Sequence, residues 1–421
     1  MPRGFRQTDG RDLSLMILCL TVTAGYGVLI YAFPVLIAPM ERGFGWSRGE
    51  VSAAISISLL VSGAAAIPVG RILDRSHPRA ALTGGGLLAV LGLICWSQVH
   101  SLWQLYVVFV LIGAAMSLVL YPPAFTLLSK SFVPSPGRAL TVLTLVGGTA
   151  SLIFTPVAAW FLAAWGWRGA CLGLAALAAV LIVLPYRLLP AKRPTAHNQP
   201  VRSADGAPLD SVTPGVAFRQ PAFWCLTTAL FLGYFINLAL VIHFVPYLLE
   251  RHFSLAFAAF AAGLLGLMQL PGRAVMLPMS RRLPRAAVTS GVFELEAISL
   301  VLLAAPTSGV LIIVFVVCFG MPRGMLPLLQ ATVISDFYGA AHYGAIAGVV
   351  ALFAAIAQAL APISIGALHD SAHGYGPIIW VLLGAALVAA GAAWLAEQHA
   401  KSPAELAKPT AGGLAVERAV S

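Results

Sequence analysis

Twelve apolar runs, each long enough to cross a bilayer as a helix, make up most of this 421-residue chain. They fall near residues 13–38, 51–69, 80–98, 102–128, 138–164 and 168–189, and again near 221–249, 255–279, 285–304, 308–334, 342–367 and 375–396. A spanning helix needs roughly 20 mainly apolar residues. Inside hydrocarbon an unpaired backbone N–H or C=O costs several kcal/mol, so only helices and closed barrels cross it. Nothing in the runs alternates with the period of barrel strands. The expected fold class is an all-α integral membrane protein with twelve transmembrane helices.

The charges agree with such a solvent. Only 10% of residues are charged, against about a quarter in soluble domains. The 25 Lys and Arg outnumber the 15 Asp and Glu, but the bases sit in short loops between apolar runs. There they set orientation, and no nucleic-acid partner is expected; the partner is the lipid bilayer. Cys19, Cys95, Cys171, Cys225 and Cys318 each stand alone in an apolar run, which suggests neither a zinc site nor a disulfide framework. No metal and no cofactor is expected. The first run is too long for a signal h-region and shows no obvious cleavage site, so it reads as a retained helix.

The stretch 190–220, rich in Pro, Ser, Asp and Arg, reads as a solvated linker. It divides an N-terminal six-helix bundle (1–189) from a C-terminal one (221–397), and residues 398–421 read as a disordered tail. Arg3, Arg6 and Arg11 precede helix 1, Arg71, Arg75 and Arg79 follow helix 2, Lys130 and Arg138 follow helix 4, and Arg281, Arg282 and Arg285 follow helix 8. All share one face with the bases of the linker. The loops of the opposite face balance their charges, as in Glu41, Arg42, Arg48 and Glu50, or Glu250 and Arg251. The positive-inside rule then places both termini and the linker in the cytosol, with the chain in the inner (cytoplasmic) membrane.

The halves repeat at an offset near 207. Gly70 to Arg75 falls opposite Leu277 to Arg282, Gly113 opposite Gly320, and Pro156 in helix 5 answers Pro362 in helix 11. Such a repeat implies two pseudo-symmetric bundles around a central site, with access alternating as one rocks against the other.

On these residues the chain resembles the major facilitator superfamily up to about residue 397. The segment Gly70-Arg71-Ile72-Leu73-Asp74-Arg75 between helices 2 and 3 is similar to that family's signature loop. The resemblance implies that Gly70, Asp74 and Arg75 belong to a cytosolic latch of the outward-open state. The second copy departs from the pattern, with Arg281 where an aspartate is expected. Within the superfamily the sequence looks most like the monocarboxylate and oxalate/formate group and its bacterial relatives. Gly45-Trp46-Ser47-Arg48, Leu120-Tyr121-Pro122-Pro123-Ala124-Phe125, Gly166-Trp167-Arg168 and Gly272-Arg273 carry that likeness. It implies that Arg273 in helix 8 holds a substrate carboxylate. Gln269 stands one turn earlier, where animal monocarboxylate carriers have an acid, and helix 11 lacks the lysine of oxalate exchangers.

A charge at mid-bilayer costs at least about 2.5 kcal/mol on insertion scales, so each is a functional candidate. Arg273 offers a planar donor fork matched to a carboxylate; the competing reading is an arginine snorkelling to the headgroups. Arg323 in helix 10 either makes a second anion contact or is neutralised by Glu294 and Glu296 of helix 9, the commoner use of such residues. Glu294, Glu296 and His243 are the candidates for a coupled proton, with a hydrogen-bonded structural histidine as the alternative. Tyr26, Tyr31, Tyr121, Asn237 and Gln269 complete the expected cavity lining, against plain packing with satisfied polar groups.

No G-x-x-x-x-G-K-[ST] phosphate loop, G-x-S-x-G elbow or H-E-x-x-H pair occurs in the chain, so ATP drive and the common hydrolytic chemistries have no machinery here. The expectation is a secondary carrier, not an enzyme, functional as a monomer. It would move a small organic anion such as a monocarboxylate, with H+ or a counter-anion as co-substrate. The rival within transport is an efflux pump for drugs or toxic metalloid compounds; from another class, a membrane sensor or an intramembrane enzyme that kept the carrier fold.

Overall fold

A computed structural model describes residues 4–75, 78–131, 136–189, 212–304, 308–339 and 343–400. Successive helical segments, followed through their breaks, form twelve rods among these residues. In the first half α1 joins Gly4–Tyr26, Gly27–Tyr31 and Phe33–Phe44; α2 is Arg48–Arg75, α3 Pro78–Ser97, and α4 joins Leu102–Val119 to Tyr121–Ser131. Rod α5 joins Pro136–Gly147 to the first part of Ala150–Ala178. Gly166, at φ 67° where only glycine is comfortable, breaks that helix, and α6 continues beyond it through Ala179–Val183 to Leu184–Leu188. In the second half α7 is Pro221–Glu250, α8 joins Leu255–Leu267 to Gln269–Arg282, α9 is Arg285–Ala304, α10 Gly309–Tyr338, α11 Tyr343–Ala372 and α12 Gly376–His399. The fold class expected from the apolar runs is the one observed.

Because successive rods alternate in direction, α1 begins and α12 ends on one face, here the linker face; its opposite is the far face. Residues 190–211 of the expected linker and 401–421 of the expected tail lie outside the described residues. The described remainder of the expected linker is partly packed: Thr213, Gly215, Val216 and Arg219 are exposed, while two of its residues enter the core. Val212 and Ala217 are buried, Val212 N–H donates to the Tyr338 carbonyl at 3.0 Å, and the short helix Pro214–Ala217 joins the core of the C-terminal bundle.

Packing follows the internal repeat. Within the first half α2 and α3 pack on α4, and α1 on α5; within the second half α8 and α9 pack on α10, and α7 on α11. Between halves the contacts are α2 with α11, α5 with α8, and α1 with α7. Adding six to each rod number turns the first of these pairs into the second and returns the third to itself, which is the signature of a pseudo-two-fold axis. Interior positions are apolar, and so is the outside: Leu60, Val107, Val310 and Leu387 are all exposed. A surface of this kind is stable against lipid and unstable in water. Exposed Trp103, Trp165 and Trp380 lie near the far-face ends of their rods, Trp224 and Trp394 near the linker-face ends, the two belts expected of a spanning protein.

The Gly-Trp-Arg turn after α5 ties rods together. Arg168 donates to the carbonyls of Ser97 (2.5 Å) and Val99 (2.9 Å) at the end of α3 and lies 4.5 Å over the Trp167 ring. Charge-assisted bonds of this kind contribute about 1.5–3 kcal/mol each at most. Arg168→Leu is expected to lower the melting midpoint in detergent by several degrees, with Arg168→Lys in between; an unchanged midpoint in Arg168→Leu would show that the bonds contribute nothing.

Candidate functional site

Five rods lose regular helical hydrogen bonding within the membrane; α6 does so in a π turn at Ala179–Val183, and the breaks of the other four gather the polar side chains. In α1 the backbone widens into a π turn at Gly27–Tyr31, with Ala32 N–H reaching back to the Gly27 carbonyl at 3.0 Å. In α4 Leu120 is extended (φ −86°, ψ −165°), because Pro122 and Pro123 supply no N–H to continue the helix. Rod α5 is interrupted after Gly147, and α8 at Met268, ahead of Pro271. Irregular backbone at membrane depth survives only where it is buried in protein or lines a cavity.

Tyr26 and Tyr31 bracket the π turn, and Tyr121 is the first residue past the α4 break. Their rings cluster, with centroids 4.7 Å apart for Tyr26 and Tyr121 and 6.4 Å for Tyr26 and Tyr31. Gly147 makes room for the cluster: a Cβ there would stand 2.3 Å from the Tyr121 hydroxyl.

Both intramembrane arginines face these tyrosines from the other half. Arg273 donates from Nη1 to the Thr144 carbonyl at 2.7 Å and approaches the Tyr121 hydroxyl. Arg323, midway along α10, donates from Nη2 to the Tyr31 hydroxyl at 3.2 Å and borders a small cleft with Thr155, Val241, Phe244 and Leu265. All these partners are neutral. Among the described residues no carboxylate lies within ion-pairing distance of either guanidinium.

The expected neutralisation of Arg323 by helix 9 is therefore corrected. Glu294 is exposed, and Glu296 is buried, 3.4 Å from the Asn237 amide nitrogen that donates to it. Asn237 thus points to α9, away from the arginines. Gln269 is also elsewhere: its Nε2 donates to the Gly266 carbonyl of its own rod at 3.0 Å. His243 is buried, with Nδ1 2.8 Å from the Tyr375 hydroxyl and Nε2 3.0 Å from the Pro362 carbonyl. Both ring nitrogens are occupied, as the structural alternative requires. The side chains of Gly70, Asp74 and Arg75, at the linker-face end of α2, lie outside the described residues.

Two features escaped sequence reasoning. One is the Thr144 carbonyl as an arginine partner, for which only the neighbouring Gly147-Gly148 pair was a signal. The other is a far-face cluster around Arg48 that joins the halves. Its acids and bases read as separately balanced loops because the contacts span more than 200 residues. Cross-half hydrogen bonds run from Arg48 with Asp370, through Ser56 with Ile363 and Ser151 with Gly263, to Arg273 with Thr144, from the far face to the arginine level.

Comparison with known proteins agrees with this architecture. The family profile described as Major Facilitator Superfamily matches residues 15–362. Monocarboxylate transporter 13 of Rattus norvegicus is 29% identical over 389 residues, spanning 89% of this chain and 86% of that protein. The oxalate:formate antiporter of Oxalobacter formigenes is 25% identical over 342 residues, 79% of this chain and 78% of its own. Among solved structures, a bacterial homologue of the human lysosomal transporter Spinster, in an inward-facing and occupied conformation, superposes with a TM-score of 0.74 at 16% identity, covering 94% of this chain and 99% of the other.

An unpaired charge in the bundle costs about 2.5–3.5 kcal/mol on insertion scales. Arg323→Met, which keeps an unbranched apolar stem and drops the charged head, is expected to raise the melting midpoint of the ligand-free protein by several degrees. A fall would mean that the charge is compensated in the resting protein.

Proposed function

The chain belongs to the Major Facilitator Superfamily, as the match over residues 15–362 shows, and from that premise we propose that it is a secondary carrier of small organic anions. It is a multi-pass membrane transporter of a small molecule; family and relatives are transporters, not enzymes. One observation carries the finer reading: two arginines inside the membrane, from α8 and α10, have only neutral partners among the described residues. The missing counter-charge is the substrate. An arginine fork matches a carboxylate bidentately and stays charged at every physiological pH. The apolar walls beside Arg323, at Val241, Phe244 and Leu265, suit an anion with one carboxylate and a small apolar body. The names of the relatives, monocarboxylate and oxalate:formate transporters, point the same way.

Alternating access supplies the mechanism. Cross-half bonds run from the far face to the arginines, which supports a site that faces the linker side. The basic loops on that side support a cytosolic linker and termini, hence an inward-facing state in the inner membrane. In this reading residues 1–189 and 221–397 are the rocking bundles, with 190–220 between them and 398–421 as a tail. Gly70, Asp74 and Arg75 sit where a linker-face latch would form in the opposite state. Both arginines bond the N-terminal half across the seam. An anion that takes over these donors loosens those bonds at the moment it binds, which couples occupancy to movement. The two-bundle fold is complete in one chain and works as a monomer, with H+ or a counter-anion as co-substrate.

Uptake of labelled carboxylates into proteoliposomes tests the reading. Wild type is expected to transport a short monocarboxylate, and Arg323→Gln and Arg273→Gln each to weaken apparent affinity by about 10–100-fold, the equivalent of one or two charge-assisted hydrogen bonds. Wild-type transport by the double variant, or no carboxylate flux by folded wild type, would refute the anion assignment.

A further inference from the structure

We propose that His369, set between Glu250 and Asp370 on the far face, is a proton-binding site whose occupation unlocks the seam between the halves. The proposal rests on the two-state carrier reading but not on the identity of the substrate.

The cluster is built from both halves. From the N-terminal half, Arg48 at the start of α2 binds Glu41 of α1 through Nε (2.6 Å) and Nη2 (2.7 Å). Across the seam, Arg48 Nη1 binds Glu250 at the end of α7. Asp370 of α11 caps α2 from the other half, accepting from Arg48 N–H at 3.0 Å and Gly49 N–H at 2.7 Å. Tyr375, leading into α12, lies with its ring 5.4 Å from the Arg48 guanidinium carbon and its hydroxyl on His243. Glu50 turns back to the Ser47 N–H at 2.8 Å, and Arg251 lies over the Tyr247 ring at 5.4 Å.

His369 has a place in this cluster for one more proton. Its Nε2 is 2.7 Å from Glu250 Oε1, a carboxylate oxygen that only accepts, so the hydrogen of the neutral ring sits on Nε2. Nδ1 is then a bare acceptor. It is buried, has no hydrogen-bond partner, and lies 3.5 Å from Asp370 Oδ1, a second acceptor. A proton from water on Nδ1 turns that acceptor–acceptor contact into an ion pair. The side chain keeps 16% of its surface exposed, enough for water on the far face to deliver it.

The effect on the seam follows from sorting charges by half. The N-terminal half presents Arg48 and the positive end of α2, offset by Glu41. The C-terminal half presents Glu250 and Asp370. A proton on His369 halves the net negative charge facing Arg48, adds a like charge 3.4 Å from Arg48 Nη1, and draws Asp370 away from the α2 amides. Each change weakens attraction across the seam, so acid on the far face favours opening on that face.

The test is a distance measurement in nanodiscs without carboxylate. Spin labels at Gly43→Cys and Gly376→Cys, both open positions on opposite halves, report the far-face gap once the native cysteines are replaced. On acidification from about pH 8 to about pH 5.5, where a histidine can change charge, the open population of the otherwise wild-type protein is expected to rise several-fold. His369→Gln keeps a donor toward Glu250 but takes up no proton, and is expected to show a pH-independent distribution. Arg48→Gln, lacking the clasp, is expected to be open at both values. A full pH response in His369→Gln, or none in wild type, overturns the proposal whatever the carboxylate assay shows.

Discussion

Hydrocarbon offers no hydrogen-bond partner, and the structure is organised by that absence. Each backbone group must be paired within its own rod, so the chain becomes a set of long helices whose interiors and exteriors are both apolar. Departures are tolerable only where protein or a cavity replaces lipid. The π turn of α1, the extended Leu120 of α4, the gap after Gly147 in α5 and the break at Met268 in α8 all fall at one depth. They are the places where tyrosines and arginines meet.

The two ends of the seam handle charge in opposite ways. At the far face three carboxylates and a histidine surround Arg48 and bond across the halves, with only His369 Nδ1 among the groups described there left without a hydrogen-bond partner. At mid-membrane Arg273 and Arg323 find only a carbonyl and hydroxyls. A charge at membrane depth without its counter-ion is costly, and the proposed anion would supply that counter-ion for both arginines. A far face clasped across the halves and a centre whose arginines have only neutral partners among the described residues fit one arm of an alternating cycle.

Much of this was legible in the sequence. The lengths of the apolar runs defined the rods, and the offset near 207 between Gly113 and Gly320 anticipated two pseudo-symmetric halves, the relation seen in the pairing of α2 with α11 and of α5 with α8. Arg273 and Arg323 stood out because charges are rare in such runs, and Tyr26, Tyr31 and Tyr121 because the resemblance to the superfamily implies that their helices face the cavity. Local spacing did not reveal which polar groups find which partners. Glu296 lies near Arg323 in depth, yet it turns to Asn237, since rotation about a rod decides partners as much as height does. Gln269 folds back on Gly266 for the same reason. The packed end of the linker, from Val212, was hidden because its polar composition outweighs the two small apolar residues it buries.

The central claim is that an anion sits between Arg273 and Arg323 at the junction of the halves. The most direct measurement is a structure of the protein bound to a bromine-labelled short carboxylate, with the bromine located by its anomalous signal. The account predicts carboxylate density within hydrogen-bonding distance of Arg323 and the Tyr31 hydroxyl, with Arg273 turned from Thr144 toward it and the bromine among Val241, Phe244 and Leu265. Density confined to the protein surface, with both arginines still on their present partners at saturating ligand, would contradict it.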